Sequence, residues 1–280
     1  MNENEFDSSK NEYFKTIISP DYIKQSEWDL AIGLQEVDNL KPSEYLKKVI
    51  DENILGNKSI YEIEEELKNY YNNKKNNFDK NEYECDLVST KIFQMLQEDD
   101  FELSIDFIKH IHKYLFKDIY SFAGDFRNYN FSKHEIILNG DSAFYGDFNL
   151  IEKSLEYDLN VEKNKNYQKM NIVDIIKNIT DFTSRIWQIH PFEEGNTRTT
   201  VVFIIKYLKK LGYDANNSLF KDKSVYFRNA LVRSNYYNKE LKIESTQEFL
   251  IKFFENLLLS KNNNLSSKDL ILDKLIKKEN

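Results

Sequence analysis

Proline, glycine and cysteine are all scarce in this chain. Its 280 residues include 3 Pro and 7 Gly, a composition that fits long helices joined by few tight turns. The single cysteine, Cys85, excludes an internal disulfide and is compatible with a reducing compartment. A hydrophobic content of 40% leaves enough apolar side chains for one large domain or two small ones.

An excess of basic residues and a long apolar run are also missing. The net charge of −8 argues against a general nucleic-acid binder, whose surface would be basic. No apolar run approaches the roughly 18 residues of a membrane span, and the polar, acidic start Met1–Glu12 does not have the pattern of a signal peptide. We therefore expect a cytoplasmic protein that binds neither nucleic acid nor a membrane.

Two apolar helical patterns flank a short polar loop, and the rest of the chain is organised around it. Apolar residues recur at helical spacing over 172–189 and again over 201–211. The first helix should end before Pro191, since the residue before a proline is disfavoured in the α region. The second should stop at Gly212 as a C-cap. Between them, residues 190–198 read His-Pro-Phe-Glu-Glu-Gly-Asn-Thr-Arg.

This loop has the chemistry of an anion site. Gly195 and Asn196 tolerate the backbone angles that point successive N–H groups at one spot, and they lie where the second helix begins. Arg198 adds a fork of donors suited to phosphate oxygens. Glu194 beside such a turn suits Mg²⁺, which binds one or two carboxylates plus substrate phosphates. His190 is then a candidate general base, because an ordinary imidazole titrates near neutral pH.

The loop also resembles the signature of a known family. Residue type alone favours an ordinary loop histidine, but the combination resembles the Fic (filamentation induced by cAMP) domain, with signature H-P-F-x-[D/E]-G-N-G-R-x-x-R. The chain departs from it at Thr197, where the family usually has Gly, and at Val201, where it usually has a second Arg. The matching residues are His190, Pro191, Phe192, Glu194, Gly195, Asn196 and Arg198.

The resemblance implies an all-α fold, a Fic-type helical bundle with one β-hairpin flap and a small N-terminal helical module. We place an antitoxin-like module at 1–75, the Fic domain at 84–260 and a helical tail at 261–280. The Asn- and Lys-rich run 72–82 is the linker candidate. Within the module we expect a loose lead-in over 1–20 and three helices. They comprise Ser26–Glu36, one with Pro42 as its first residue, and one opened by the capping box Ser59-x-x-Glu62.

A hairpin is expected ahead of the motif helices. Ile136, Ile137 and Leu138 favour a strand, and Asn139-Gly140 is the dipeptide most typical of a two-residue hairpin turn. In Fic domains such a hairpin is a flap that pairs with an extended segment of the target protein. The alternative is a solvent-facing hairpin without a ligand. By the resemblance, the residues that flank the nucleotide or target are Lys133, Ser142 and Phe144.

A Tyr-x-x-Asn motif and a pair of histidines are two further features that bear on binding. Tyr226-x-x-Asn229 resembles the Fic helix that faces adenine and ribose, so Tyr226 and Asn229 are candidate base-binding residues, although a Tyr on a helix is more often core. His110 and His112 are two residues apart and do not face together on a helix. We therefore interpret them as structural, one partly buried and one exposed, rather than as a metal pair.

The resemblance implies a protein adenylyltransferase that uses ATP and Mg²⁺. His190 would take the proton of a Ser, Thr or Tyr hydroxyl on a protein docked at the flap, and Glu194 would hold Mg²⁺. The Asn196 side chain, with the amides of Gly195 and Thr197, would hold the α-phosphate, and Arg198 would face the departing pyrophosphate. Phe192 would fix the loop from the core. The resemblance also leads us to expect modification of the chain itself.

Many Fic proteins are silenced by a helix bearing [S/T]-x-x-x-E-[G/N], whose Glu pairs with the second motif Arg. The comparable positions here are Ala31 and Gln35, with Glu36 following. Neither deciding residue has the hydroxyl or charge required, and Val201 removes the partner. Loss on both sides favours natural divergence over an engineered change, and we expect weak inhibition, or none, through this motif.

Two alternatives remain open at the level of sequence. The first is transfer of another phosphate-containing moiety (UMP, phosphate or phosphocholine), because His190 and the anion loop do not read a base. The second is a catalytically idle helical binding module, which Thr197 and Val201 allow. The sequence does not name the target protein, and it leaves a homo-oligomer as one of the open oligomeric states.

Overall fold

The computed structural model describes residues 20–74 and 77–272, which contain ten α-helices and one β-hairpin. The expected lead-in lies almost wholly outside the described residues, as does the end of the tail. The all-α fold with a single hairpin is confirmed. The elements are α1 (Pro20–Gly33), α2 (Glu44–Ile54), α3 (Ile60–Asn73), α4 (Lys80–Gln97), α5 (Ile105–Phe116), β1 (Ser132–His134), β2 (Ser142–Phe144), α6 (Ile151–Lys163), α7 (Ile172–Ile189), α8 (Asn196–Lys210), α9 (Phe220–Asn235) and α10 (Glu248–Leu259).

Helix α1 starts before the predicted Ser26 and gives way after Gly33 to a 3₁₀ turn, Leu34–Asp38. Gly33 lies where α1 crosses α9, and a Cβ there would stand 2.2 Å from the carbonyl oxygen of Phe220. Glycine therefore allows the two backbones to touch. The crossing fixes the position of the 3₁₀ turn, which reaches the 190–198 loop.

Serine side chains cap the next two helices. The first residue of α2 is Glu44 rather than Pro42. Ser43 is its N-cap, and the Ser43 Oγ accepts a hydrogen bond from the amide of Leu46. The predicted capping box at the start of α3 is confirmed, with Ser59 and Glu62 satisfying each other's backbone amides.

The described N-terminal helices share one core with the rest of the chain. The Trp28 ring of α1 stacks on Phe93 of α4 with centroids 4.4 Å apart. Ser43 and Tyr71 both donate to the buried carboxylate of Asp86, also in α4. The predicted linker, 72–82, includes the end of α3 at Asn73 and the start of α4 at Lys80. This part of the molecule is packed onto the Fic-like part through a continuous apolar interface.

The hairpin differs from the two-residue form predicted. Asn139 and Gly140 do adopt positive φ, 54° and 87°, but residues 136–138 form a 3₁₀ turn instead of strand. The strands pair only over Ser132↔Phe144 to His134↔Ser142. The cause is burial: Ile137 and Leu138 both point into the core, which the alternation of a strand would not allow for neighbours.

Helices α7 and α8 confirm the predicted helix–loop–helix. α7 ends at Ile189 and α8 begins at Asn196. Toward the C-terminus, the tail forms a 3₁₀ turn at Ser267–Leu270 within the range where a short helix was expected. Among the residues described, no helix is both long enough and apolar enough to cross a membrane.

Candidate active site

The loop between α7 and α8 turns sharply at both ends. His190 caps α7 in the left-handed region, with φ 51° and ψ 61°. Gly195 precedes α8 with φ 78°, and a Cβ there would lie 2.5 Å from the Phe116 ring. Gly195 is thus required by both its backbone angles and its surroundings. It offers no side chain to cap the first amides of α8, so these donors are available to an anion.

His190 is held in one tautomer in an aromatic pocket. Its Nδ1 lies 3.1 Å from the carbonyl oxygen of Trp187, and since a carbonyl only accepts, Nδ1 carries the proton and Nε2 the lone pair. The ring stacks on Tyr145 at 3.7 Å and meets Trp187 edge-on at 5.1 Å. Burial lowers the pKa of His190 well below its usual range, and nearby cations including Lys133 add to this. The imidazole is therefore neutral at pH 7, as a general base must be.

Arg127 fixes the backbone around this histidine. Its guanidinium donates to the carbonyl oxygens of His190 (2.7 Å), Ile189 (3.1 Å), Tyr129 (2.6 Å) and Gly146. These carbonyls belong to the end of α7 and to both sides of the hairpin. One buried side chain thereby locks the flap against the catalytic loop.

His112 holds the loop from the opposite side. Its Nδ1 accepts from the amide of Gly124 (2.8 Å), and its Nε2 donates to the carbonyl oxygen of Glu194 (3.0 Å). The ring stacks on Phe192, which is fully buried as predicted. Burial lowers the pKa of His112 to about 4. His112 is thus a buried structural residue, and His110 is exposed.

The Asn196 side chain shapes the loop in the described conformation, and its binding of phosphate stays a prediction. Its Oδ1 accepts from the amide of Phe192 (2.9 Å), and its Nδ2 donates back to the Phe192 carbonyl (2.8 Å). Both polar ends of the carboxamide are therefore engaged within the loop. The contribution of Asn196 to an anion site comes from its backbone at the start of α8.

Thr197, the first departure from the family signature, has a local partner. Its Oγ1 accepts a hydrogen bond from Nε1 of Trp187 at 2.9 Å. Trp187 is the residue whose carbonyl and ring position His190. The hydroxyl therefore supports the wall of the histidine pocket, and a glycine at this position would leave the buried indole N–H without that acceptor.

Arg198 is held by other parts of the chain in the described conformation, and its role toward a departing pyrophosphate stays a prediction. Its side chain is 1% exposed and lies over the Phe116 ring. Nη2 binds the carboxylates of Asp38 (3.0 Å) and Glu84 (2.9 Å), and Nη1 donates to Oε1 of Gln35 at 3.0 Å. In the described conformation this arginine is held by the N-terminal part of the chain and by α4.

The predicted degenerate motif lies close to the site but meets a different arginine. Gln35 contacts Arg198, the first arginine of the signature, whereas Val201 is buried in the core at the second position. Ala31 is buried, and its carbonyl oxygen accepts from the Gln35 side chain at 3.0 Å. Whether these residues inhibit the protein stays a prediction.

A small polar cavity remains over the loop. Its volume of about 20 Å³ admits roughly one water molecule. In its wall, Nζ of Lys133 lies 3.3 and 3.4 Å from the two carboxylate oxygens of Glu194. The lining comprises Asp38, Lys133, His190, Glu194, Gly195, Asn196, Thr197 and Arg228.

The remaining flap candidates face outward. Phe144 is 71% exposed, although its carbonyl oxygen accepts from the Gln188 side chain at 2.6 Å. Ser142 contacts the exposed His134 ring at 3.1 Å. Neither lies in the wall of the small cavity, whereas Lys133 does.

The predicted base-binding residues are both on α9. The Tyr226 hydroxyl donates to the carbonyl oxygen of Phe249 at 3.2 Å, so this side chain packs toward α10 as a core residue. Arg228, two positions on and thus about 200° around the helix, faces the loop cavity instead. Asn229 is buried, and its role in base binding stays a prediction.

Sequence reasoning missed the contacts made between distant segments. Arg127 lies between α5 and β1, and nothing in the sequence indicated its role. Asp38, Tyr145 and Arg228 carried no signal, because each is brought to the loop from a separate element.

Residues 102–208 match the Fic/DOC family. It is 26% identical over 135 residues to a probable protein adenylyltransferase, y4lH, of Sinorhizobium fredii, a match covering 48% of this chain and 67% of that protein. It is 24% identical over 162 residues to a protein adenylyltransferase of Bartonella henselae, covering 54% of this chain and 30% of that protein. The chain thus spans less than a third of the second relative.

Solved structures share the fold. A Fic-domain-containing signaling protein from Bacteroides thetaiotaomicron superposes with a TM-score of 0.58 at 14% identity, covering 88% of this chain and 89% of that one. BepC from Bartonella tribocorum, solved with bound AMPPNP, gives a TM-score of 0.50 at 18% identity, covering 64% and 85%. The first of these matches necessarily includes part of the N-terminal helices.

Proposed function

We propose that the chain is a protein adenylyltransferase, which moves AMP from ATP to a Ser, Thr or Tyr hydroxyl of a protein. The observation that carries the proposal is the state of His190. Its imidazole is neutral, its Nδ1–H donates a hydrogen bond to the carbonyl oxygen of Trp187, and it lies beside the uncapped amides that begin α8. The names of the two relatives and the AMPPNP of the BepC structure support the same activity.

The proposed AMP transfer is a single displacement at the α-phosphorus. The hydroxyl oxygen of the target attacks the α-phosphorus of ATP, and Nε2 of His190 takes the hydroxyl proton. The bond from the α-phosphorus to the bridging oxygen breaks, and pyrophosphate leaves with that electron pair. The amides at the start of α8 stabilise the charge on the α-phosphate, and the aromatic walls keep the imidazole in line.

Glu194 is the residue that would hold Mg²⁺. Its carboxylate lies at the mouth of the loop and its side chain is 45% exposed. No cluster of three or more His, Cys, Asp or Glu suited to a metal occurs among residues 20–74 and 77–272. A single carboxylate fits Mg²⁺, which takes its other ligands from phosphates and water. When bound, the ion would neutralise phosphate charge, and Lys133 would have to release Glu194.

The flap is proposed to receive the target protein. Its strands are short, and two large apolar side chains at its surface, Ile136 and Phe144, are 91% and 71% exposed. An extended segment added along such a hairpin would carry its hydroxyl toward His190. Autoadenylylation is proposed for the same reason, because a hydroxyl of a second copy can dock in this way.

The 3₁₀ turn Leu34–Asp38 is proposed to keep the site closed. Asp38 lines the cavity, which is too small for a nucleotide, and binds Arg198. The predicted motif at Ala31 and Gln35 can be tested separately with Ala31→Ser combined with Gln35→Glu. A degenerate motif predicts little change in activity, and a strong drop contradicts that prediction.

Two labelled nucleotides test the proposed reaction. The full chain is incubated with Mg²⁺ and ATP labelled on either the α- or the γ-phosphate. AMP transfer predicts protein-bound label from the α-position alone, and label from the γ-position would indicate phosphate transfer. UTP labelled at the α-phosphate tests the choice of base. An absence of label with every nucleotide favours the idle binding module.

A further inference from the structure

The charge of a bound triphosphate is not matched by the arginines of the signature. Val201 carries no charge, and the Arg198 guanidinium is already bound by Asp38, Glu84 and Gln35. ATP nevertheless brings several negative charges to a site whose wall includes Glu194. Mg²⁺ and Lys133 would offset part of this charge, and a further fixed cation would be favourable beside the phosphates beyond the one nearest His190.

Arg228 of α9 stands in the right place. It lines the same cavity as His190 and the 195–197 turn. Its terminal nitrogens bind both carboxylate oxygens of Glu135, one contact measuring 2.6 Å. Glu135 is almost completely buried and Arg228 is 21% exposed at the side chain. A bidentate carboxylate engages one edge of a guanidinium, so other N–H donors remain for a ligand.

The surrounding charges mark this position as an anion subsite. Asp38 lies in the same cavity wall as Arg228, and its carboxylate is 3.0 Å from Nη2 of Arg198. It is near enough to Arg228 to favour the charged form of that guanidinium. A carboxylate of the chain thus interacts with both arginines, and an anionic ligand that displaced it would meet the same positive charges.

The Glu135–Arg228 ion pair is not needed simply to hold the hairpin down. Asp141 of the hairpin accepts from Tyr236 (2.5 Å) and Asn238 (3.2 Å). The amide of Leu272 donates to the Ile137 carbonyl at 2.8 Å. Because a buried ion pair on its own stabilises a fold only weakly, two independent anchors leave the charge of Arg228 to be explained.

We propose that Arg228 binds the terminal phosphates of ATP in place of the arginine missing at position 201, and that Glu135 orients its guanidinium. This assignment rests on the proposed function. It makes the nucleotide site composite, with one wall from the signature loop and the other from α9. It also identifies the ligand class as a nucleoside triphosphate, since a monophosphate would not extend to this wall.

The test compares the two members of the ion pair in the full chain. Isothermal calorimetry with Mg²⁺ measures the Kd for ATP and for AMP in the wild type, Arg228→Gln, Glu135→Gln and Arg228→Lys. Arg228→Gln should weaken ATP by about tenfold or more while the Kd for AMP changes less than about twofold, as expected for lost charge-assisted hydrogen bonds to phosphate. Glu135→Gln should keep or tighten ATP binding, and Arg228→Lys should restore part of the affinity.

The outcomes separate this inference from the proposed function. If the ion pair is purely structural, both neutral variants weaken ATP equally or lower the melting temperature together without a difference between ATP and AMP, and the assignment of Arg228 is overturned. Wild-type affinity for ATP in Arg228→Gln overturns it as well, with the proposed function intact. If the wild type binds no ATP, the proposed function fails, and this inference with it.

Discussion

His190 owes its chemistry to three neighbouring residues that the signature does not contain. Trp187 fixes the tautomer, Thr197 holds Trp187, and Tyr145 covers the ring face. Together with Arg127 on the backbone, they hold a non-glycine residue in the left-handed region, where strain is otherwise expected. Packing therefore fixes the position and the tautomer of the His190 imidazole in the absence of a substrate.

Tyr145 allows a clean test of this packing. Its hydroxyl is buried and has no hydrogen-bond partner among the described residues, so only the ring is expected to matter. Tyr145→Phe should retain AMP transfer within about twofold, whereas Tyr145→Ala should lower kcat by about tenfold or more, because the imidazole loses its stacked neighbour. Rates measured at saturating ATP decide this. An equal loss in both variants would instead assign the hydroxyl a direct role.

Arg127 is the second residue with a predicted effect. Arg127→Ala leaves two buried and two partly buried carbonyl oxygens without their donor, which should lower the free energy of unfolding by about 2–4 kcal/mol and strongly reduce kcat. Arg127→Lys keeps the charge but not the fork, and should recover stability only in part. Urea unfolding followed by circular dichroism measures the effect. Full stability in Arg127→Lys would contradict the bracing role.

At this scale the sequence identified what a local pattern can identify. His190, Glu194 and Gly195 were predicted because helix spacing, loop chemistry and signature coincide within a few residues. Arg198 was placed correctly on the chain, but its partners lie more than a hundred positions away, so its burial could not be foreseen. Asp38 and Arg228 are hidden for a related reason, since each lies on another element of the chain.

Among the elements, the 3₁₀ turn Leu34–Asp38 is the one that changes the interpretation of the N-terminal segment. In a 3₁₀ helix, side chains three residues apart lie on the same side. Asp38 therefore lies on the side of Gln35, and both reach Arg198. A carboxylate thus contacts Arg198 one turn after position 35.

Removing that carboxylate should activate the protein. Asp38→Asn is expected to raise the rate of AMP transfer and the affinity for ATP by about fivefold, the scale of one partly exposed ion pair. Glu36→Gln is the matched control, since Glu36 is an exposed acidic residue of the same turn. Equal rates in the wild type and Asp38→Asn would refute the closing role of the turn.

The sequence predicted the helices correctly where one face is apolar. It did not predict the hairpin correctly, because burial there does not follow the alternation of a strand. The 172–189 pattern coincides with α7, and the 201–211 pattern covers the later part of α8 and its C-cap, as expected. The hairpin did not follow its pattern, because two consecutive residues, Ile137 and Leu138, are both buried. Only contacts with the C-terminal part of the chain, such as that of Leu272, could have revealed this.

At the scale of the whole molecule, the described helices share one core, which connects the 3₁₀ turn Leu34–Asp38 to the candidate active site. The neutral form of His112 is part of this core. Its folded-state pKa of about 4 lies below the ordinary value of 6.5, so between these two pH values the unfolded chain binds the extra proton. The stability that His112 supplies is therefore complete above pH 6.5 and is lost as pH falls toward 4.

Two variants on one helix isolate this contribution. Glu27, whose pKa burial raises to about 7, changes stability in the opposite direction, so differences between variants are more informative than the wild-type curve. His112→Gln should cost about 1–3 kcal/mol at pH 7 and clearly less at pH 5. The exposed His110→Gln should show little change at either pH. Urea unfolding at both pH values tests this, and a pH-independent cost for His112→Gln would contradict it.

Transfer of AMP through His190 is the central claim, and intact-protein mass spectrometry tests it most directly. The full chain and a His190→Ala variant are each incubated with ATP and Mg²⁺ and then examined for added AMP. The account predicts an AMP adduct on the wild type and none on His190→Ala, with ATP binding retained in the variant. An adduct of equal yield on His190→Ala, or none on a wild type that binds ATP, would contradict it.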